Sequence, residues 1–79
     1  MPPMTTPALS YIETLEELYY QPLFQFANRL CDSPARAMAL TQRTFRQAFE
    51  YASALPVPSD SQSWLAAILF SKFLEERAH

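Results

Sequence analysis

The side chains that could do acid or base chemistry are glutamates in two clusters. One cluster is Glu13, Glu16 and Glu17, and the other is Glu75 and Glu76 near the end of the chain. A catalytic carboxylate needs a partner or a buried setting that tunes its pKa, whereas both clusters lie in polar runs typical of solvated helix surface. We therefore interpret these glutamates as surface charge, and we expect no catalytic residue and no enzymatic activity.

The sequence contains one cysteine, Cys31, and one histidine, His79. A structural zinc ion takes four ligands, and a reactive thiol needs a nearby base or cation, so neither site is predicted. Glycine does not occur among the 79 residues, which excludes phosphate-binding loops that depend on close backbone approach. We interpret Cys31 as structural and expect no metal and no cofactor.

Three arginines, Arg36, Arg43 and Arg46, fall on one side of a predicted helix and form the strongest candidate for a polar contact. The chain as a whole has eight acidic and six basic residues and a formal net charge of −2. It therefore lacks the basic field that draws proteins to nucleic acid, and DNA binding is expected to be weak. The arginines indicate a protein partner, or else they form a solvated helix face.

The predicted domain occupies residues 10–79, after an extended lead-in over residues 1–9. Ser10 and Glu13 form a capping-box pattern that begins a first helix, and Pro22 inside this helix predicts a kink or a break near Tyr20. The apolar residues of this helix recur at helical spacing: Ile12, Leu15, Tyr19, Phe26 and Leu30.

A second helix begins at Pro34, because Ser33 can cap free backbone N–H groups and proline suits the first helical position. The corner at residues 32–34 is short enough to turn this helix back along the first one. Its predicted packing face is made of Met38, Thr41, Phe45, Ala48, Phe49 and Ala52.

A third helix is predicted from about Ser61 to about Arg77, after a loop over residues 55–61 that contains two prolines. Its apolar side has Trp64, Leu65, Ile68, Leu69 and Phe73. The unbroken apolar run over residues 64–70 covers more than one face of a helix, so a fourth segment or a partner must cover the rest. Leu69 and Phe70 are the residues we expect in an apolar partner contact.

These elements predict an all-α fold, a compact three- to four-helix bundle. The expected core residues are Phe26, Leu30, Phe45, Phe49, Trp64, Leu65 and Ile68. The longest apolar run is too short to span a bilayer, and the first residues lack a signal-peptide pattern, so a cytoplasmic location without membrane contact is expected.

Four blocks of sequence carry a resemblance to a known family. They are LYYQPLFQFANRL at residues 18–30, DSPA at 32–35, ALTQRTFRQAF at 39–49 and SWLAAIL at 63–69. In this order and spacing they resemble region 2 of bacterial RNA polymerase sigma factors, above all the small extracytoplasmic-function group, over residues 18–77. The resemblance implies a helical bundle that docks on the clamp coiled coil of the polymerase and reads the upstream promoter element.

The chain also departs from that family. Arg36, Met38, Ala39 and Arg43 stand where the second helix of the family has acidic residues that pair with the basic polymerase clamp. Like charges would oppose that docking. The basic tail of the family is replaced by a short end with Glu75 and Glu76, and the helix-turn-helix domain that usually follows is expected to be lacking.

Three functions remain open from the sequence. The first is a sigma-like transcription regulatory domain that acts through protein contacts with an anti-sigma factor, a sigma-like chain or a second copy of itself. The second is a working region 2 that binds RNA polymerase and promoter DNA within a truncated or minimal sigma factor. The third is an unrelated small helical interaction protein, because unrelated functions share folds.

Overall fold

The chain forms three helices in a computed structural model that describes residues 7–56 and 58–77. The helices are α1 (Pro7–Leu30), α2 (Pro34–Ala54) and α3 (Ser61–Arg77). The described residues contain no strand, which confirms the predicted all-α bundle with three helices. Within these residues, no helix combines the length and the hydropathy that a membrane span requires.

Helix α1 begins earlier than predicted. It starts at Pro7, so residues 7–9 of the expected lead-in are helical, and the rest of that lead-in lies outside the described residues. Proline suits the first helical position because the N–H that it lacks has no partner there. Ser10 is therefore inside the helix, where its backbone oxygen accepts a hydrogen bond from Thr14 Oγ1 at 3.0 Å.

Helix α1 continues through Pro22, so of the predicted alternatives the break near Tyr20 is wrong, and the kink stays a prediction. An interior proline costs about 3 kcal/mol. Leu15 and Leu23 lie on the two sides of the proline and are both buried in the core. Burying each leucine stabilises the fold by about 1.5–3 kcal/mol, so the shared packing outweighs the cost of the proline.

The corner between α1 and α2 has the predicted form. Ser33 is the N-cap of α2, and its Oγ accepts hydrogen bonds from the backbone N–H groups of Ala35 at 3.2 Å and Arg36 at 3.4 Å. Pro34 occupies the start of the helix. The residue types at this corner therefore set the start of α2.

The core lies where the three helices meet. Its buried apolar residues are Ile12, Leu15, Leu23, Ala27, Ala37, Leu40, Phe45, Ala48, Leu65, Ile68 and Leu69. Phe45, Leu65 and Ile68 were predicted there, whereas Phe26, Leu30, Phe49 and Trp64 are half-buried and pack against this cluster.

The packing face of α2 is rotated relative to the predicted one. Met38 is 47% exposed, so its placement on that face is wrong, while Ala37 and Leu40 are completely buried. At about 100° per residue, Ala37, Thr44 and Ala48 fall within about 40° of one another at the centre of the buried face, and Met38 falls about 100° from Ala37, beyond its edge. Small residues at the centre let α2 approach its neighbours closely.

Two threonines are buried in the core on α2. The hydroxyl of Thr41 donates to the backbone oxygen of Ala37, and the hydroxyl of Thr44 donates to that of Leu40, each at 2.8 Å. A buried hydroxyl without a partner would destabilise the fold, and these bonds remove that penalty.

Helix α3 is anchored at its first turn. Asp60 precedes the helix, and its carboxylate accepts hydrogen bonds from the backbone N–H of Ser63 at 3.1 Å and from Ser63 Oγ at 2.8 Å. The Ser61 hydroxyl shares a 2.6 Å hydrogen bond with the Tyr11 hydroxyl of α1. These bonds place the start of α3 beside the first part of α1, after the predicted loop.

Candidate functional site

The arginine face of α2 is the surface made by Arg36, Arg43 and Arg46, all of which are exposed. Ala39 and Gln42 lie between them, and with Arg43 and Arg46 they line a shallow depression of about 210 Å³. The structure therefore keeps the three predicted arginines on the outside of the bundle, where a partner can reach them.

Arg43 binds a carboxylate within the chain. Its Nη1 donates a hydrogen bond to Oε1 of Glu76, which lies near the end of α3. Both side chains are exposed to solvent, and exposed ion pairs contribute only about 0–1 kcal/mol. The pair was missed from the sequence because it joins two helices whose contact depends on the bundle geometry.

A cleft of about 380 Å³ opens at the end of the bundle where α1 ends and α3 ends. Its lining residues are Leu30, Cys31, Asp32, Arg36, Phe73, Glu76 and Arg77. Charges of both signs face this space, so the cleft offers no net attraction for an anion or a cation. Arg36 lines this cleft, whereas Arg43 and Arg46 line the depression on α2, so the arginine face is divided between two cavities.

Burial raises the pKa of the Cys31 thiol, and the nearby Glu76 carboxylate raises it further, while the Arg36 guanidinium acts in the opposite direction. A raised pKa keeps the thiol protonated at neutral pH. A protonated thiol is a poor nucleophile, so the surroundings of Cys31 do not favour covalent chemistry.

A mostly apolar groove of about 310 Å³ runs between α1 and α2. Its lining residues are Leu9, Ile12, Glu16, Tyr20, Gln42, Phe45, Arg46 and Phe49. The Tyr20 ring stacks on Phe24 and on Phe45, with centroid distances of 6.3 and 6.2 Å. Arg46 therefore lies at the border between the arginine face and this apolar groove, in which the Tyr20 and Phe45 rings stack.

The two apolar contact residues predicted on α3 have different surroundings. Leu69 is completely buried, so its assignment to a partner contact is wrong and it belongs to the core. Phe70 is 44% exposed and stacks on Phe73 at a centroid distance of 6.3 Å. Leu74, which follows one turn later and is 50% exposed, was missed although its spacing from Phe70 places it on the same side.

The described residues contain no group of three side chains that could hold a metal ion. No protein-family model, curated protein or solved structure matches this chain. The resemblance to sigma factor region 2 thus depends on the four sequence blocks and stays a prediction.

Proposed function

We propose that this chain is a bacterial, cytoplasmic sigma-factor-like transcription regulatory domain that acts by binding another protein through the arginine face of α2. The four blocks that carry the resemblance lie in order on α1, the corner, α2 and α3. A compact helical bundle is also the architecture that the resemblance implies. Both points support the proposal without depending on any single residue.

The charge of α2 is the observation that carries the proposal. Between Arg36 and Arg46 the helix has three exposed arginines and no carboxylate of its own. Region 2 of the family has acidic residues here for the basic polymerase clamp. The positive surface of this helix repels the basic clamp and attracts an acidic partner.

The partner is a protein with exposed carboxylates beside an apolar side chain. Its carboxylates bind the guanidinium groups in bidentate geometry, and one of them replaces Glu76 on Arg43. That exchange costs little because the internal pair is exposed. An apolar side chain of the partner enters the groove between α1 and α2 beside Arg46. An anti-sigma factor or a sigma-like chain that keeps the acidic face has this chemistry.

The test measures binding of two defined probes by fluorescence anisotropy at several salt concentrations. One probe is a sigma factor region 2 that keeps the acidic second helix, and the other is the polymerase clamp coiled coil. We expect the acidic probe to bind, with an affinity that falls as salt rises. The double variant R36E/R46E should lose at least about tenfold, or ~1.4 kcal/mol.

R29E is the matched control, because Arg29 is an exposed arginine of α1 outside the arginine face. It should bind the acidic probe as the unchanged chain does. Equal losses in R29E and in R36E/R46E would show a non-specific charge effect and contradict the proposal. Failure of the unchanged chain to bind the acidic probe would also contradict it, and binding of the clamp probe would favour a working region 2.

Promoter binding receives little support from α3. Lys72 lies 3.3 Å from the carboxylate of Glu75, and the Arg77 guanidinium lies 5.6 Å from the centre of the Phe73 ring. Basic side chains that neutralise phosphates supply most of the affinity for DNA, and α3 offers only these two. A gel shift with single-stranded promoter DNA that weakens steeply with salt would overturn this view.

A further inference from the structure

The outer stripe of α3 consists of Ser63, Ala67, Phe70, Leu74 and Arg77, all of them exposed. The intervals between these residues are four, three, four and three positions. This alternation is the spacing of the seam through which helices pair in coiled coils. Ser63, Ala67, Phe70 and Leu74 are not covered by α1 or α2, whereas Arg77 at the end of the stripe also lines the cleft between the ends of α1 and α3. Helix α3 therefore presents a second helix-packing surface to the outside of the bundle.

The outer stripe is asymmetric in size and in charge. Its first half has the small residues Ser63 and Ala67, and its second half has the large residues Phe70 and Leu74. Arg77 supplies a positive charge at one end, and Asp60 supplies a negative charge just before the other end. Hydrogen bonds from Ser63 lower the pKa of Asp60, so it is charged at neutral pH.

The positions of the stripe are symmetric about a point between residues 68 and 69. A second α3 can be placed antiparallel to the first, with a twofold axis through this point. In that arrangement Phe70 lies opposite Ala67, Leu74 lies opposite Ser63, and Arg77 lies opposite Asp60. Every large side chain then meets a small one, and each cation meets a carboxylate. We propose that this chain forms a symmetric homodimer through antiparallel packing of the outer stripes of two α3 helices.

A groove beside the small half of the stripe provides space for the partner's aromatic ring. It has a volume of about 200 Å³ and lies between α1 and α3, next to Ala66. Its lining residues are Tyr19, Pro22, Leu23, Phe26, Gln62, Leu65 and Ala66. An enclosed apolar cavity of about 150 Å³ binds benzene, and this groove, although open to solvent, has room for part of the Phe70 ring of the second copy. Stacking on Phe73 holds the Phe70 ring in place.

The dimer is weak and reversible. A helix of 17 residues is about 25 Å long, and one stripe along it buries less area than the ~1,200 Å² of a standard interface. This contact is separate from the arginine face, so it holds or fails independently of the proposed function.

The test measures molecular mass by sedimentation equilibrium over a concentration series. The mass of the unchanged chain should rise with concentration from 9.1 kDa towards twice that value. F70E should remain a monomer, because it places a charge in the contact. M38E is the matched control, since Met38 is an equally exposed apolar residue on α2, and it should dimerise as the unchanged chain does. Circular dichroism checks that both variants keep their helices.

The register is tested by exchanging the opposed residues. A67F should weaken the dimer by placing two phenyl rings opposite each other, and F70A should weaken it by removing one. The double variant A67F/F70A restores a large residue opposite a small one, and it should dimerise more strongly than either single variant. If A67F strengthens association, or if the unchanged chain is a monomer at all concentrations, the proposal is wrong.

Discussion

The pKa of the Cys31 thiol depends on the groups around it at the end of the bundle. Burial is the largest cause of its raised pKa, and the Glu76 carboxylate acts in the same direction. The thiolate fraction is therefore smaller than for a free cysteine at the same pH. The stability that the neutral thiol provides is complete below the unfolded pKa and is lost as pH rises through the higher folded value.

We predict that iodoacetamide alkylates Cys31 more slowly in the folded chain than in the denatured chain at pH 8. Glu76→Gln should accelerate the folded-state reaction, because it removes a carboxylate that raises the pKa. Mass spectrometry of quenched samples gives the rates. Glu75→Gln is the control and should leave the rate unchanged. Equal rates for folded and denatured chains would contradict the prediction.

The arginines show the limit of inference from residue types alone. Their exposure was predictable because the apolar positions of α2 leave them on the other side. The bond from Arg43 to Glu76 was not predictable, since it depends on how far α3 extends along α2. Side-chain reach across two helices is a property of the folded bundle, and a helical pattern does not contain it.

Among the helices, α1 shows that tertiary packing can override the preference of proline against a helix interior. Proline at position 22 removes a backbone hydrogen bond, yet the helix is continuous because Leu15 and Leu23 are buried on both sides of it. The bounds of α2 and α3 were predicted well, because Ser33 with Pro34 and the proline-containing loop are strong local signals. The start of α1 was not predicted well, because Pro7 lies in a stretch without an apolar pattern.

We predict that Pro22→Ala raises the free energy of unfolding by about 2–3 kcal/mol. The alanine restores a hydrogen bond and removes a clash that together cost about 3 kcal/mol, while the unfolded chain gains entropy that returns up to about 1 kcal/mol. Urea unfolding followed by circular dichroism measures the change.

Pro34→Ala is the matched control, because Pro34 stands at the start of α2 and lacks no helical hydrogen bond there. It should leave stability unchanged or lower it slightly. A gain in this control equal to that of Pro22→Ala would show that the effect comes from the unfolded state and would contradict the helix argument.

At the scale of the whole molecule, a few buried side chains decide whether the bundle exists. Leu40 is completely buried in the core, with Leu65 and Leu69 of α3 in the same cluster. A domain of this size has a total stability of about 5–10 kcal/mol, so one large core side chain supplies a sizeable share.

We predict that Leu40→Ala destabilises the chain by about 2–5 kcal/mol through lost burial and the cavity left behind. Thermal unfolding followed by circular dichroism should show a large fall in Tm. Leu55→Ala makes the same change at a site that is 60% exposed, and it should cost less than about 0.5 kcal/mol. Similar losses at the two sites would contradict the assignment of Leu40 to the core.

The loop between α2 and α3 has a consequence for how α3 stays in place. Its described residues are all exposed, and it connects α3 to α2 along the chain. Burial of Leu65, Ile68 and Leu69 provides about 5–9 kcal/mol, whereas bringing a free helix back from solution costs about 4–15 kcal/mol. The two ranges overlap, so after a protease cut in this loop we expect α3 to be weakly bound and to dissociate on dilution. The loop acts as a tether that keeps the third helix at a high effective concentration beside the other two.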